Sequence, residues 1–503
     1  MAKIKEIKDF ELKSGVNGQE DLLIQDDGVT KRIKSSEFSK TDHTHNYNDL
    51  INKPSIPTTL SQLTNDVGFA TNINNTLETT DKTLIGAINE LNYKLNKIDS
   101  LTEDACVYGV EVDFENLTFE RLNKAKNKTS QDFNNIYPWS KMKRCNLLNG
   151  EITAWYGDEN FVEDGTNGNV MVSIPKFYYK VVPLKLEKIE DGVGYHLVKG
   201  RWFVSEYPYI DFKVHPAFVR NGIEIDEIFV GAYEASIYDA SENVYLYEDE
   251  QVADFNTDKI VSITNAKPCS GKTQNLNIGN ARKLCENNGV GYSQMDFTTT
   301  SAIQLLLLIE YANFDSQTSV GQGVSTLADN PNTENHSLKT GLTSTLGCSS
   351  GYIGENGKTS VSYRGIENFW GNFWSFIDGI NIEAKGKHFA YWSNDDTTNN
   401  TDTNHKKINF TLCKTTGFVN RIGYDEDNDF VFLPTKATGA SNKPCNDYLW
   451  QNNSYNGWLI ARLGGRWNSD SSCGAFSWYL NDGSGARSRD VGARLLFVSS
   501  NTD

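Results

Sequence analysis

The stretch from Gly464 to Arg494 holds the residue types best suited to chemistry at a surface. Trp467, Phe476, Trp478 and Tyr479 are separated there by Asn, Ser, Asp, Gly and Arg. Trp, Tyr and Arg supply contact energy at interfaces, while small polar residues supply adaptable hydrogen bonds. The segment therefore reads as a binding surface. Its expected contact residues are Asp470, Ser472, Trp478, Tyr479, Asn481, Asp482, Arg487 and Arg489, with Trp467 and Phe476 expected to be structural. A second constellation is the pair His43 and His45. Residues two apart on an extended chain point to the same side. Three chains around one axis would then offer six imidazole nitrogens, an octahedral set suited to iron or a similar divalent transition metal. The plainer reading is two solvated histidines near a turn.

Other candidates carry less. The run Asp425-Glu426-Asp427-Asn428-Asp429 reads as a solvated loop, and the Gly-rich GCSSGYIGENG has no following Lys-Ser/Thr to cradle a phosphate. Paired carboxylates for glycoside hydrolysis have no motif that selects them. The eight cysteines form no CxxC pair, which argues against a zinc knuckle or redox motif and for a reduced, buried set.

The elements that must position these residues divide the chain by composition. All ten Trp lie from Trp139 onward, so a polar, slender N-terminal part precedes an aromatic-rich, globular one. Formal charge is 48 − 65 = −17. Such an acidic chain gains nothing from the phosphate attraction behind most non-specific nucleic-acid affinity, so no nucleic acid is expected as a partner. The start, MAKIKEIKDF, has no apolar core and does not read as a signal peptide. The longest apolar stretch, Ile303 to Ile309, is too short to span a bilayer, so no membrane insertion is expected.

Four units follow. Residues 1–40 hold two β-prone pieces, Asp21 to Gln25 and Val29 to Ile33, around Asp26-Asp27-Gly28, a hairpin signal. Residues 41–75 carry Pro54, Pro57 and spaced single hydrophobes, the pattern of a thin, intertwined stalk. Residues 76–104 repeat Leu84, Ile88, Leu91, Leu95 and Ile98 at alternating spacings of four and three, a coiled-coil seam. Residues 105–503 form the head, with a small β subdomain at 105–225 as an option. Its β-like runs are Val170 to Val182, Trp202 to Val214, Ile225 to Ala235 and the closing Ala493 to Val498. Two helices are expected, one over Ile278 to Asn287 and one opening at a Ser301/Gln304 capping box. The balance is α+β.

Three segments resemble bacteriophage structural proteins. HTHNYNDLINKPSIPTTLSQLTNDVGF (43–69) is similar to the linker of many tail and head fibres. TTDKTLIGAINELNYKLNKI (79–98) is similar to the short trimeric helix that follows such linkers. FVGAYEAS (229–236), YRGIENFWGNFWSFIDGINI (363–382) and the segment 463–497 resemble the C-type-lectin-like fold of phage tropism determinants and formylglycine-generating enzymes. Together these cover about a fifth of the chain, and the last of them specifies a fold superfamily rather than a ligand. The resemblance implies a homotrimer, a metal on the stalk axis at His43 and His45, an N-terminal attachment to other virion proteins, and a C-type-lectin-like head facing a host surface glycan or protein. It also implies a departure. The oxidase chemistry needs two nearby cysteines, and positions four and five before Cys473 are Ser469 and Asn468. The expectation is a non-enzymatic virion fibre that adsorbs to the host. The alternative is a structural or decorating fibre of capsid or collar.

Overall fold

The computed structural model describes residues 106–499, apart from 251, 253, 272–275, 331–333, 385, 387, 441–446 and 453, together with the backbone of 21–26 and 29–34. The expected stalk, the coiled coil, and His43 and His45 lie outside the described residues. Near the N-terminus, β1 (Asp21–Asp26) and β2 (Val29–Lys34) pair antiparallel from Asp26↔Val29 to Asp21↔Lys34. The connection is the dipeptide Asp27-Gly28, whose residue types favour the left-handed backbone of two-residue hairpins.

Taken by itself, the unit from 106 onward is mostly β-sheet with few helices. The expected α+β balance gives way because most apolar runs are short and bounded by Gly and Asn turns, which suits strands. The expected run Val170 to Val182 splits into β3 (Asn169–Pro175) and β4 (Tyr178–Lys188) at a Pro-Lys-Phe break. Strand β5 (Tyr195–Ser205) pairs along β4, and β6 (Glu227–Gly231) pairs with β3. Later strands are β7 (Trp374–Glu383), β8 (Phe389–Trp392), β9 (Gly417–Tyr424), β10 (Tyr448–Gln451), β11 (Trp458–Gly464), β12 (Gly474–Leu480) and β13 (Leu495–Phe497). The main sheet runs β4-β5-β9-β10-β12-β11-β7-β8 along its centre. Only the β10–β12 pairing in that run is parallel. A second sheet takes β13 beside β6, and β6 beside β3.

Helix α1 (Ile278–Glu286) begins where Asn277 accepts from the Asn280 amide at 2.9 Å. Helix α2 (Phe297–Tyr311) begins four residues before the expected capping box. Asp296 caps it, accepting from Thr299 N at 2.7 Å, and a carboxylate there also suits the helix dipole. Ser301 and Gln304 serve the tertiary structure instead. They donate to the carbonyls of Phe430 and Ala475, at 2.5 and 2.8 Å. All of α2 but Tyr311 is buried, its polar Thr298, Ser301, Gln304 and Glu310 included, each with a hydrogen-bond partner inside the protein. Trp139 Nε1 donates to Leu306 O at 3.0 Å, and Phe297 meets Trp478 of β12 at 6.1 Å between ring centres. The helix is thus the floor on which the site strand lies.

A buried charged network ties the second sheet to the segment 367–372 that leads into β7. Arg494 is fully buried, and its Nη1 and Nη2 donate to Gly231 O (2.8 Å), Glu367 O (2.7 Å) and Asn368 O (2.9 Å). Glu234, also buried, accepts from Asn372 Nδ2 at 2.6 Å and Asn368 Nδ2 at 3.0 Å. Burial pushes the Glu234 carboxyl up to about 8 against the pull of Arg494. A carboxyl raised on folding stabilises the fold fully below its unfolded value near 4.5, and that contribution fades as pH climbs through the folded value. Between pH 5 and 8 the native protein should therefore lose on the order of a few kcal/mol relative to Glu234→Gln, which mimics the protonated group. Urea denaturation of both proteins across that range checks this. Parallel pH profiles would refute it.

Candidate functional site

The site forms on one face of the main sheet because strands alternate their side chains. Register pairs Phe376 with Arg462, Arg462 with Tyr479, and Tyr479 with Trp450, so four neighbouring strands place one row of side chains on that face. The next row, Ser375, Leu463, Trp478 and Leu449, points the other way, into the core beside α2. A slip of one residue would exchange Tyr479 for Trp478. Two glycines close the end of β11. Gly464 and Gly465 have φ of +101° and +95°, and a Cβ on Gly465 would stand 3.0 Å from Cys473 Sγ. This turn lets the chain double back into β12.

Above the row lies a cleft of about 670 Å³. Its walls are Trp374, Trp450 and Tyr479 on the aromatic side, with Arg462, Arg466, Arg487, Asp482 and Asp490 among the charged groups. The Arg462 guanidinium sits between the rings of Phe376 and Tyr479, 5.4 and 5.0 Å from their centres. Asp482 Oδ2 is 2.9 Å from its Nη2, an ion-pair distance, but the atoms are not aligned for a hydrogen bond. Arg466 pairs with Asp490 and lies over Trp467. Trp374 and Tyr479 stand 5.4 Å apart, and Tyr479 and Trp450 6.4 Å, so the aromatic side is continuous.

Five of the eight expected contact residues border this cleft: Ser472, Tyr479, Asn481, Asp482 and Arg487. The other three do not. Trp478 is fully buried and donates through Nε1 to Phe432 O at 3.2 Å, because it falls on the inward side of the strand alternation. Arg489 is a strut: its Nη2 meets both carboxylate oxygens of Asp329 at 2.8 Å, its Nη1 reaches the Glu334 carbonyl at 2.7 Å, and it lies over Trp467. Asp470 is exposed in a short turn whose Ser469 and Ser472 line the cleft, but is not on its wall, and its carbonyl accepts from Gln317 Nε2 at 2.8 Å. Trp467 and Phe476 are buried. Sequence reasoning passed over Trp374, Trp450, Arg462 and Arg466. An arginine inside the apolar run WLIARLG is the signal that could have found Arg462.

Other candidates settle differently. Cys473 is fully buried with its Sγ 3.0 Å from Gly464 O, and desolvation raises the thiol far above its ordinary value, so the reactive thiolate is suppressed. The acidic run is not a solvated loop throughout. Asp425 accepts from Asn409 N and Asn428 Nδ2, while Asp429 accepts from Tyr179 and Lys213. It packs beside a second cleft, of about 600 Å³, that Trp392 and Asn394 help line. There Trp392 Nε1 donates to Asn428 and Asn394 Nδ2 to Pro216 O, both at 2.7 Å, so its polar groups are satisfied from within. Among the described residues no helix is long and apolar enough to cross a membrane.

No protein-family model matches this chain, and no curated protein does. Among solved structures it is similar to the U1 and P3c variants of Major Tropism Determinant. Each alignment has 11% identity, covers 78% of this chain and 71% of the other, and has a TM-score of 0.23. A likeness that shallow carries no argument about this site.

The placements separate binding from folding in a measurable way. Trp478→Ala should cost about 3–5 kcal/mol of stability, as for a buried aromatic cut to a methyl. Arg487→Ala, at an exposed position, should stay within about 0.5 kcal/mol. Denaturant midpoints of the two variants against the native protein decide it, and similar losses in both would contradict the assignment of inner and outer faces.

Proposed function

We propose that this protein is a bacteriophage virion fibre whose C-type-lectin-like head binds the host cell surface through the cleft on β7, β10, β11 and β12. The observation that carries this reading is the cleft itself. Aromatic rings, three guanidiniums and short polar side chains converge there on a rigid sheet, the usual make-up of a recognition site. Binding without catalysis fits the cleft's chemistry. Its two aspartates are each engaged by an arginine, Asp482 beside Arg462 and Asp490 beside Arg466, and serve to hold those guanidiniums in place. The fibre assignment rests on the linker and seam motifs of the N-terminal part. In this reading residues 1–40 attach to other virion proteins and the chain works as part of the particle.

Purified full-length protein should slow adsorption of virions to host cells. Tyr479→Ala should weaken that competition by about 1–3 kcal/mol, the range for an interface aromatic. Native protein that leaves adsorption unchanged would favour the decorating-fibre alternative.

The stalk is part of the same proposal. The Leu84/Ile88/Leu91/Leu95/Ile98 seam needs partner chains to bury it, and His43 with His45 offers donors for a transition metal on a threefold axis. Native mass measurement is expected to give three copies. Elemental analysis should find about one transition-metal ion per trimer, lost in a His43→Ala/His45→Ala double variant. A monomer at micromolar concentration, or a metal-free trimer, would count against the corresponding half.

A further inference from the structure

The floor of the cleft leaves hydrogen-bonding capacity unmet by the protein. The Arg462 side chain is only 4% exposed, yet neither Nε nor Nη2 makes a hydrogen bond. Those two nitrogens form one edge of the guanidinium, the edge that meets the two oxygens of a carboxylate side by side. Around it, Trp450 Nε1 and the Oδ1 atoms of Asn468 and Asn481 are also buried without a partner. Buried polar groups are nearly always satisfied, so five such atoms bordering one cleft mark a place where partners arrive from outside the chain. The set is mixed. It has donors at Arg462 and Trp450 and acceptors at the two asparagines, which suits a ligand rich in hydroxyl groups.

Charge and size narrow the ligand. The cleft has three arginines (462, 466 and 487) against two aspartates (482 and 490), a local balance of 3 − 2 = +1 on a chain of net charge −17. A volume of about 670 Å³ falls in the range of small-ligand pockets. A folded protein partner would instead spread over roughly 800 Å² of each surface. The rings of Tyr479 and Trp450, inclined at 38° to each other, offer an apolar wall beside the polar groups.

We propose that the cleft binds a sugar bearing a carboxylate, its ring laid on Tyr479 and Trp450 and its acid group drawn to Arg462 and Arg487. This rests on the adhesin reading and gives it a ligand class. The ligand's carboxylate takes over the Arg462 edge from Asp482, which is poorly aligned and, at 35% exposure, has solvent to swing into. Its hydroxyls donate to Asn468 and Asn481 and accept from Trp450.

The probes are oligosaccharides ending in glucuronic acid or sialic acid, each paired with its neutral counterpart, titrated into full-length protein by calorimetry. At least one acid form should bind about tenfold tighter than its neutral partner, a step of about 1.4 kcal/mol. Arg487→Ala should remove most of that preference while its melting temperature stays native. Equal affinities for acid and neutral forms, or no binding of either, overturn the proposal. Adsorption competition by the same protein separates the two layers. If the native chain slows adsorption but no acid sugar binds, the ligand class is wrong and the adhesin reading stands. If an acid sugar binds and adsorption is untouched, the adhesin reading falls and the sugar site stands.

Discussion

A guanidinium that has lost all contact with water must look for hydrogen bonds inside the protein, and the two terminal nitrogens of Arg494 find them in two separate segments. Its donors reach the carbonyl of Gly231 on β6 and those of Glu367 and Asn368, at the end of a short strand upstream of β7. Removing a charge from water is costly, so each of these bonds is worth more than its neutral equivalent, and losing one leaves an expensive orphan. The last strand is thereby tied both to β6, its neighbour in the second sheet, and to the segment that leads into β7. The preceding residues follow from that. Val491 pairs with Trp374, and the Asp490 carbonyl accepts from the Trp374 amide at 3.0 Å. Asp490 in turn reaches Arg466. The rim of the cleft is thus set by a buried charge that does not itself line it.

The cleft shows a similar division between frame and face. Trp478, Phe476 and Leu480 hold β12 down on α2 and the core, while Tyr479 leaves the opposite side of the same strand. Arg489, Asp329 and Trp467 brace the loop that carries Arg487. Asn372 links this frame to the charged network, donating to Glu234 and accepting from the Leu338 amide at 2.7 Å.

Much of this could be read from the residues, and the misses have identifiable causes. The Asp27-Gly28 hairpin, α1 and the closing strand were legible because each depends on local chemistry: a turn dipeptide, a cap, an apolar run. The start of α2 was misplaced because Ser301 and Gln304 look like a capping box, while their hydrogen bonds go to segments more than a hundred residues away. Trp478 and Tyr479 were both expected at the surface, although adjacent residues on a strand must part company. The alternation of Phe476, Trp478 and Leu480 with Ala475, Ser477 and Tyr479 held that answer. Trp374 and Trp450 could not be placed, since they join the site only through the pairing of strands distant in sequence.

The backbone of the rim is held by bonds that do not depend on what its side chains are. The Asp482 carbonyl accepts from Ile460 N, the Ser488 carbonyl from Gly271 N and the Asp490 carbonyl from Trp374 N. Main-chain bonds of this kind survive a change of residue. The course of the rim through Asp482, Ser488 and Asp490 is therefore fixed apart from the side chains it displays.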